Sequence, residues 1–260
     1  MQLHSFAAQL ALAAGLSPQL PLFLHSRAAH EDFVRLLKEA FGPRLERLEK
    51  GGVVHSFTGT VEEMRELAEL GLYIGVNGCS FKTEENCAVV KEIDLSRMML
   101  ETDGPWCEVR SSHEGWKYLV AHEVKAKEAR LAAEAAVAAE AEAEAAKAAA
   151  AADATPDASD SGTATPGGTE KPRCHRKWRN PPPPQPQGRG KNQKKEPDVP
   201  ERYKVVKKEK WEEGVMVKGR NEPCTIDRIA KIVAGIKGVS VEEVCEAAWA
   251  NTVKVFGVDA

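Results

Sequence analysis

The stretch GVVHSFTGTVEEMRELAELGLYIGV, residues 52–76, holds one complete strand–helix–strand unit. Val53-Val54-His55 is a short apolar run after the Gly51-Gly52 break. Thr60 stands three residues before Glu63, the spacing of a capping box, in which the threonine side chain and the glutamate each satisfy a free N–H at the start of a helix. Val61, Met64, Leu67 and Ala68 follow at the spacing of one helical face, and Gly71 ends the helix. Leu72-Tyr73-Ile74-Gly75-Val76 is the second strand of the unit.

The same alternation extends both ways. Upstream, Leu22-Phe23-Leu24-His25 reads as a strand after a Pro-containing turn, and Phe33, Leu36, Leu37 and Ala40 mark a helix. Further upstream, Leu3, Phe6, Ala7, Leu10 and Ala14 share one helical face. No basic residue precedes that run and Gln9 interrupts it, so it reads as an amphipathic helix rather than a signal peptide. Downstream, Thr83 caps a helix with Ala88, Val89 and Ile93 inward, and Arg97-Met98-Met99-Leu100-Glu101 is a fourth strand. Strands that are apolar along most of their length are buried on both faces, as in a parallel sheet covered by helices. Four of them alternating with helices predict an α/β fold.

Past residue 120 the composition changes. His122 to Ala152 is rich in Ala, Glu and Lys, strong helix formers, but has no apolar stripe to bury. A helix there should stand in solvent. Residues 153–200 are rich in Asp, Thr, Gly and Pro and read as disordered. Order is expected again near Tyr203. Thr225 caps a helix with Ile226, Ile229, Ile232 and Val233 inward, Gly238 stops it, and Ser240 with Glu243 forms another capping box ahead of Val244, Ala248, Val253 and Phe256. The expected organisation is therefore 1–120, a low-complexity insert over 121–200, and a closing part over 201–260.

The net charge of -3 on 260 residues argues against wholesale coating of nucleic acid. A loose basic run from Lys171 to Lys195 reads either as a polyanion site or as a solvated linker. Six cysteines without a CxxC spacing predict free thiols and an intracellular protein, in cytoplasm or nucleus; Cys174-His175 lacks the partner pair a zinc site needs. No apolar run reaches the roughly 20 residues that span a bilayer, so no membrane partner is expected.

Chemistry concentrates at the strand ends. The first strand ends in His25-Ser26-Arg27, the second in His55-Ser56, the third in Asn77 and the fourth in Glu101-Thr102-Asp103. In parallel α/β folds those ends open on one face, where catalytic residues gather. Two imidazoles and two carboxylates there suit a divalent ion of the zinc, manganese or magnesium class, which polarises a phosphoryl oxygen and activates water. Arg27 could hold a phosphate in a bidentate grip, and Ser56 could donate to it. Each residue also has a plain reading: a structural histidine, a turn shaped by Asp103 before Gly104-Pro105, an Arg27 ion-paired with Glu31 or Asp32.

With these residues in view, the chain resembles the TatD family of metal-dependent deoxyribonucleases. The matching segments are Leu22-Phe23-Leu24-His25-Ser26-Arg27, Gly52-Val53-Val54-His55-Ser56-Phe57-Thr58-Gly59, Gly71-Leu72-Tyr73-Ile74-Gly75, Leu100-Glu101-Thr102-Asp103-Gly104-Pro105-Trp106, Arg220-Asn221-Glu222-Pro223, and Asn251-Thr252 with Phe256-Gly257. Together they cover about 1–119 and 203–258. The resemblance implies a (β/α)8 barrel with one or two divalent ions (Mg2+, Mn2+ or Zn2+) and DNA as substrate, cut 3′ to 5′. It implies metal ligation by His25, His55 and Asp103, with Asp103 also catalytic, and motif positions at Glu101, Arg27 and the Asn221-Glu222 turn. The family also opens with a strand carrying His-x-His and has a later bridging Glu. This chain has neither, so the resemblance implies a partial barrel lacking about three strands. Two further readings stand beside hydrolysis of DNA: an inactive remnant that binds a partner, and a hydrolase of small substrates. Oligomeric state is not legible.

Overall fold

The computed structural model describes residues 1–152 and 199–258. Helices α1 (Gln2–Ala14), α2 (His30–Phe41), α3 (Val61–Glu69) and α4 (Glu84–Glu92) alternate with strands β1 (Leu22–His25), β2 (Gly52–His55), β3 (Tyr73–Val76) and β4 (Met98–Leu100). Then come α5 (Trp116–Ala152), two short strands β5 (Val205–Val206) and β6 (Met216–Val217), and helices α6 (Ile226–Lys237) and α7 (Val241–Phe256).

The four long strands are parallel and lie in chain order, β1-β2-β3-β4. Leu24 pairs with Val54, Val54 with Ile74, and Ile74 with Met98. That row faces the main core, which includes Phe33, Leu37, Leu67 and Ile232. The opposite row carries Phe23, Val53, Tyr73 and Met99. On it Val53, Tyr73 and Met99 pack with Val255, and Phe256 borders them. Side chains alternate between faces along a strand, so His25, His55, Gly75 and Glu101 continue this second row. An unreversed strand order is that of a barrel wall rather than of a doubly wound sheet. The wall is an arc: β1 and β4 each have one strand neighbour among the described residues. Position in the arc explains the burial. All four residues of the inner β3 are buried, whereas on the edge strand β1 Phe23 is 53% exposed.

Local capping rules hold at three helix starts. Thr60 and Glu63 make the reciprocal capping box, and Thr83 accepts from the Asn86 N–H. Ser240 accepts from the Glu243 N–H. In α1 the packed residues are Phe6, Ala7, Leu10 and Ala13, whereas Leu3 and Ala14 are exposed. Phe6 stacks on Phe33 with ring centroids 5.4 Å apart.

Two expectations are corrected. Thr225 is not a side-chain cap; its hydroxyl is shared between Asn221 Oδ1 at 2.6 Å and the Glu222 carbonyl at 2.8 Å. The fourth strand is shorter than read, because Leu95–Arg97 forms a 3-10 turn capped by Asp94. Val199, four residues before Tyr203, is buried.

Every residue of α5 from 124 to 145 is exposed, as a helix without an apolar stripe should be. The expectations of disorder, of a basic polyanion site and of a Cys174-His175 feature fall on 153–198, outside the described residues. Among the described residues no helix is long and apolar enough to cross a membrane.

Candidate active site

The carboxyl ends of β1, β2 and β4 bring the polar residues together. His25 and His55 are register partners on adjacent strands and face the same side, with ring centroids 5.0 Å apart. His55 Nε2 lies 3.4 Å from Asp103 Oδ1, and its Nδ1 lies 2.8 Å from Glu101 Oε2. The Nδ1 contact is short but off the hydrogen-bonding axis, so Nδ1 remains a buried atom without an aligned partner. We read it as an ion-pair contact. The Glu101 carboxylate is the first cause raising the His55 pKa above its ordinary value; burial opposes it, and Asp103 adds to it.

Glu101 is held from two sides. The Ser56 N–H donates to Oε2 at 3.1 Å, and the Glu101 N–H donates to the Val76 carbonyl at 3.0 Å. Its carboxylate lies over Gly75, where a Cβ would overlap Oε1. Glycine at that point of β3 therefore makes room for the acid that orients His55.

Asp103 sits in a tight loop. Its carbonyl accepts from the Trp106 N–H at 2.8 Å, and the Cys107 thiol donates to Oδ2 at 3.1 Å. Asn221, 5% exposed, latches this loop: its side-chain Nδ2 donates to the Thr102 carbonyl at 2.6 Å and its N–H to the Pro105 carbonyl at 3.0 Å. Ser56, Asp103 and Cys107 have φ of 53°, 52° and 54°. Left-handed backbone at non-glycine residues is uncommon and tends to mark sites where the surroundings over-determine the conformation.

Arg27 and His25 are exposed, and Asp32, expected as a partner of Arg27, pairs with Arg35 at 2.8 Å. Arg27, His25, Ser56 and Asp103 line a cavity of about 770 Å³ that Phe6 and Leu10 of α1 also line. His30, outside the strand ends, bonds Glu66 at 2.9 Å.

Nitrogen and oxygen donors on one rim are the right kind for a divalent ion. Among the described residues, however, no three His, Cys, Asp or Glu side chains are grouped as an ion-holding set. The donors fit in type and location, in pairwise contact. Burial of the two histidines differs, with His55 enclosed and His25 open. What sequence reasoning left out is the thiol pair: Cys79 and Cys107 both follow strand ends, and their sulfur atoms meet 2.9 Å apart. Their place just past β3 and β4 was the available signal. Burial first, then Cys79 and Asp103, push the Cys107 thiol pKa up.

Comparison with known proteins gives the family and the fold. A family model described as TatD related DNase matches residues 1–152. The chain belongs to this family. Deoxyribonuclease Tat-D of Schizosaccharomyces pombe is 36% identical over 251 residues, covering 96% of this chain and 54% of the relative. The 3′-5′ ssDNA/RNA exonuclease TatD of Erwinia tasmaniensis is 45% identical over 108 residues, 40% of this chain and 39% of its own length. The crystal structure of an amidohydrolase from Saccharomyces cerevisiae superposes with a TM-score of 0.62 at 29% identity, over 98% of this chain and 59% of that one. The fold is thus that of the TatD family, with the barrel open among the described residues. The chain spans about half the length of the curated relatives it matches.

Proposed function

We propose that this TatD-family chain hydrolyses phosphodiester bonds of DNA at a divalent-metal site on the rim formed by β1, β2 and β4. The observation that carries the reading is the convergence of His25, His55 and Asp103 on one rim, with Glu101 behind His55. His25 and His55 offer ring nitrogens and Asp103 a carboxylate oxygen as ligands for one or two ions of Mg2+, Mn2+ or Zn2+. Bound there, such an ion supplies Lewis acidity toward a phosphoryl oxygen and a more acidic water.

The chain's own residues do the rest. Glu101 fixes the His55 ring, so that Nε2 points toward Asp103. Asp103, besides ligation, takes up a proton at its carboxylate during attack. Arg27, exposed and facing the cavity, grips a phosphate, and the Ser56 hydroxyl donates to it. The cavity between α1 and β1 is open to a flexible strand, which suits single-stranded DNA. Removal of nucleotides from the 3′ end is the reading the Erwinia tasmaniensis relative's name supports. Five unbridged cysteines among the described residues support an intracellular setting.

The test is cleavage of a 5′-labelled single-stranded oligonucleotide with magnesium or manganese. We predict a ladder shortening from the 3′ end, abolished by a chelator. Asp103→Ala should lower the rate by more than the ~10–100-fold that loss of a ligand's outer partner costs, and Glu101→Gln by a loss within that range. No cleavage by folded protein, or equal cleavage by wild type and Asp103→Ala, would overturn the reading.

A further inference from the structure

Two thiols border the rim without a role in the reading above. Cys79 lies in the 3-10 turn Gly78–Phe81 after β3, and Cys107 lies in the loop after β4. Their sulfur separation of 2.9 Å is closer than two thiols rest in van der Waals contact, and longer than the ~2.05 Å of a disulfide. The backbone holds them there. Gly78 packs so tightly against the loop that a Cβ would overlap the Cys107 carbonyl oxygen. Asn77 Oδ1 accepts from the Cys79 N–H at 2.9 Å, and Asn77 is fully buried. Among the described residues no other two thiols touch: Cys224 contacts Met216, Cys87 is buried and Cys245 is exposed. The pair is also wired to the rim, because the Cys107 thiol is the donor to Asp103 Oδ2.

We propose that Cys79 and Cys107 form a reversible disulfide that governs the Asp103 carboxylate. The co-reactant is a small disulfide such as oxidised glutathione. One protein sulfur attacks it, expels one reduced thiol and is left in a mixed disulfide. The second protein sulfur attacks the first, forms the Cys79–Cys107 bond and expels the second reduced thiol. Two S–H bonds of the protein and one S–S bond of the co-reactant are lost; one S–S bond and two S–H bonds are made. The protein is oxidised by two electrons, the small disulfide is reduced by two, and both protons leave on the expelled thiols. Cys107 then has no S–H to donate, and Asp103 loses that hydrogen bond. The effect on hydrolysis rests on the proposed function; formation of the bond does not.

The whole chain is treated with oxidised glutathione, alkylated, digested without reduction and mapped by mass spectrometry. The expected product is one linked peptide pair holding Cys79 and Cys107, lighter by two hydrogens and released by dithiothreitol. Cys79 and Cys107 both remaining alkylatable while the exposed Cys245 reacts, or either bridging a different cysteine, would overturn the proposal. Cys107→Ser cannot cross-link yet keeps a hydroxyl donor for Asp103. Oxidised wild type should cleave DNA at least ~10-fold more slowly than reduced, the loss an outer partner causes, and Cys107→Ser should change less than about twofold. An equal response of both proteins would overturn control through Asp103. Cross-linking as expected in a folded chain that cleaves nothing even when reduced would sink the hydrolase reading and uphold the modification site.

Discussion

Gly75 and Gly78 stand three residues apart around the end of β3, and each lacks a side chain for a different reason. At Gly75 the space is taken by the carboxylate end of Glu101; at Gly78 it is taken by the backbone of Cys107. A carboxylate can swing away, whereas a carbonyl fixed in a packed loop cannot. We predict that Gly78→Ala lowers stability by about 1–3 kcal/mol, the cost of overpacking. Gly75→Ala should leave the melting temperature nearly unchanged and instead displace Glu101 from His55. Equal thermal losses in the two variants would contradict this account. At this scale the rim histidines and acids were legible, because polar residues closing apolar strands are conspicuous. The contact between Cys79 and Cys107 was not, since it depends on the path of two loops. Nor does a sequence show that His25 stays open while His55 is enclosed, which follows from β1 lying at the edge of the arc.

Helix α3 shows what elements reveal and conceal. Its capping box could be read off Thr60 and Glu63, because both partners lie within four residues. Thr225 looked equivalent but spends its hydroxyl on Asn221 and Glu222, partners that belong to the latch over the Asp103 loop. Strands β5 and β6, two residues each, are too short to carry any period. Between α2 and α3, Glu66 accepts from Lys38 and bonds His30, both at 2.9 Å. Lys38 first and His30 second hold the Glu66 carboxyl below its ordinary pKa. A lowered carboxylate pKa contributes stability that is present above the unfolded value and lost as pH falls through the folded one. Glu66 is 43% exposed, so solvent screening keeps the contribution within ~0.2–1 kcal/mol. Glu66→Gln is thus predicted to be slightly less stable than wild type at neutral pH, with the gap closing on acidification through the carboxylate range. Urea melts at the two pH values measure it; a gap that widens in acid would refute the sign.

On the scale of the molecule, the chain divides into a compact unit of Met1–Lys127 with Asp198–Ala260, and a second unit, Glu128–Pro197. The alternation of strands and helices made residues 1–107 readable as a parallel α/β sheet, while the strand order came from the structure. Glu123 and Val199 line one small cavity, so the chain leaves and rejoins the first unit at neighbouring points. Replacing 128–197 by a short flexible linker is predicted to preserve the cooperative melting temperature within about 2 °C, as expected for changes outside a packed core. A drop of ten degrees, or loss of cooperativity in calorimetry, would show that the core needs the segment.

The solvent-borne part of α5 has a spectroscopic consequence. Helical signal in this protein comes from two populations that answer heat differently. Packed helices such as α4 and α6 disappear together with the sheet, in one step. Residues 124–145 have no core to share, and a helix resting on propensity alone thins out gradually over tens of degrees. Far-ultraviolet ellipticity will therefore slope well before the cooperative transition, and the slope reports on a rod of alanine and glutamate while the parallel sheet is still intact.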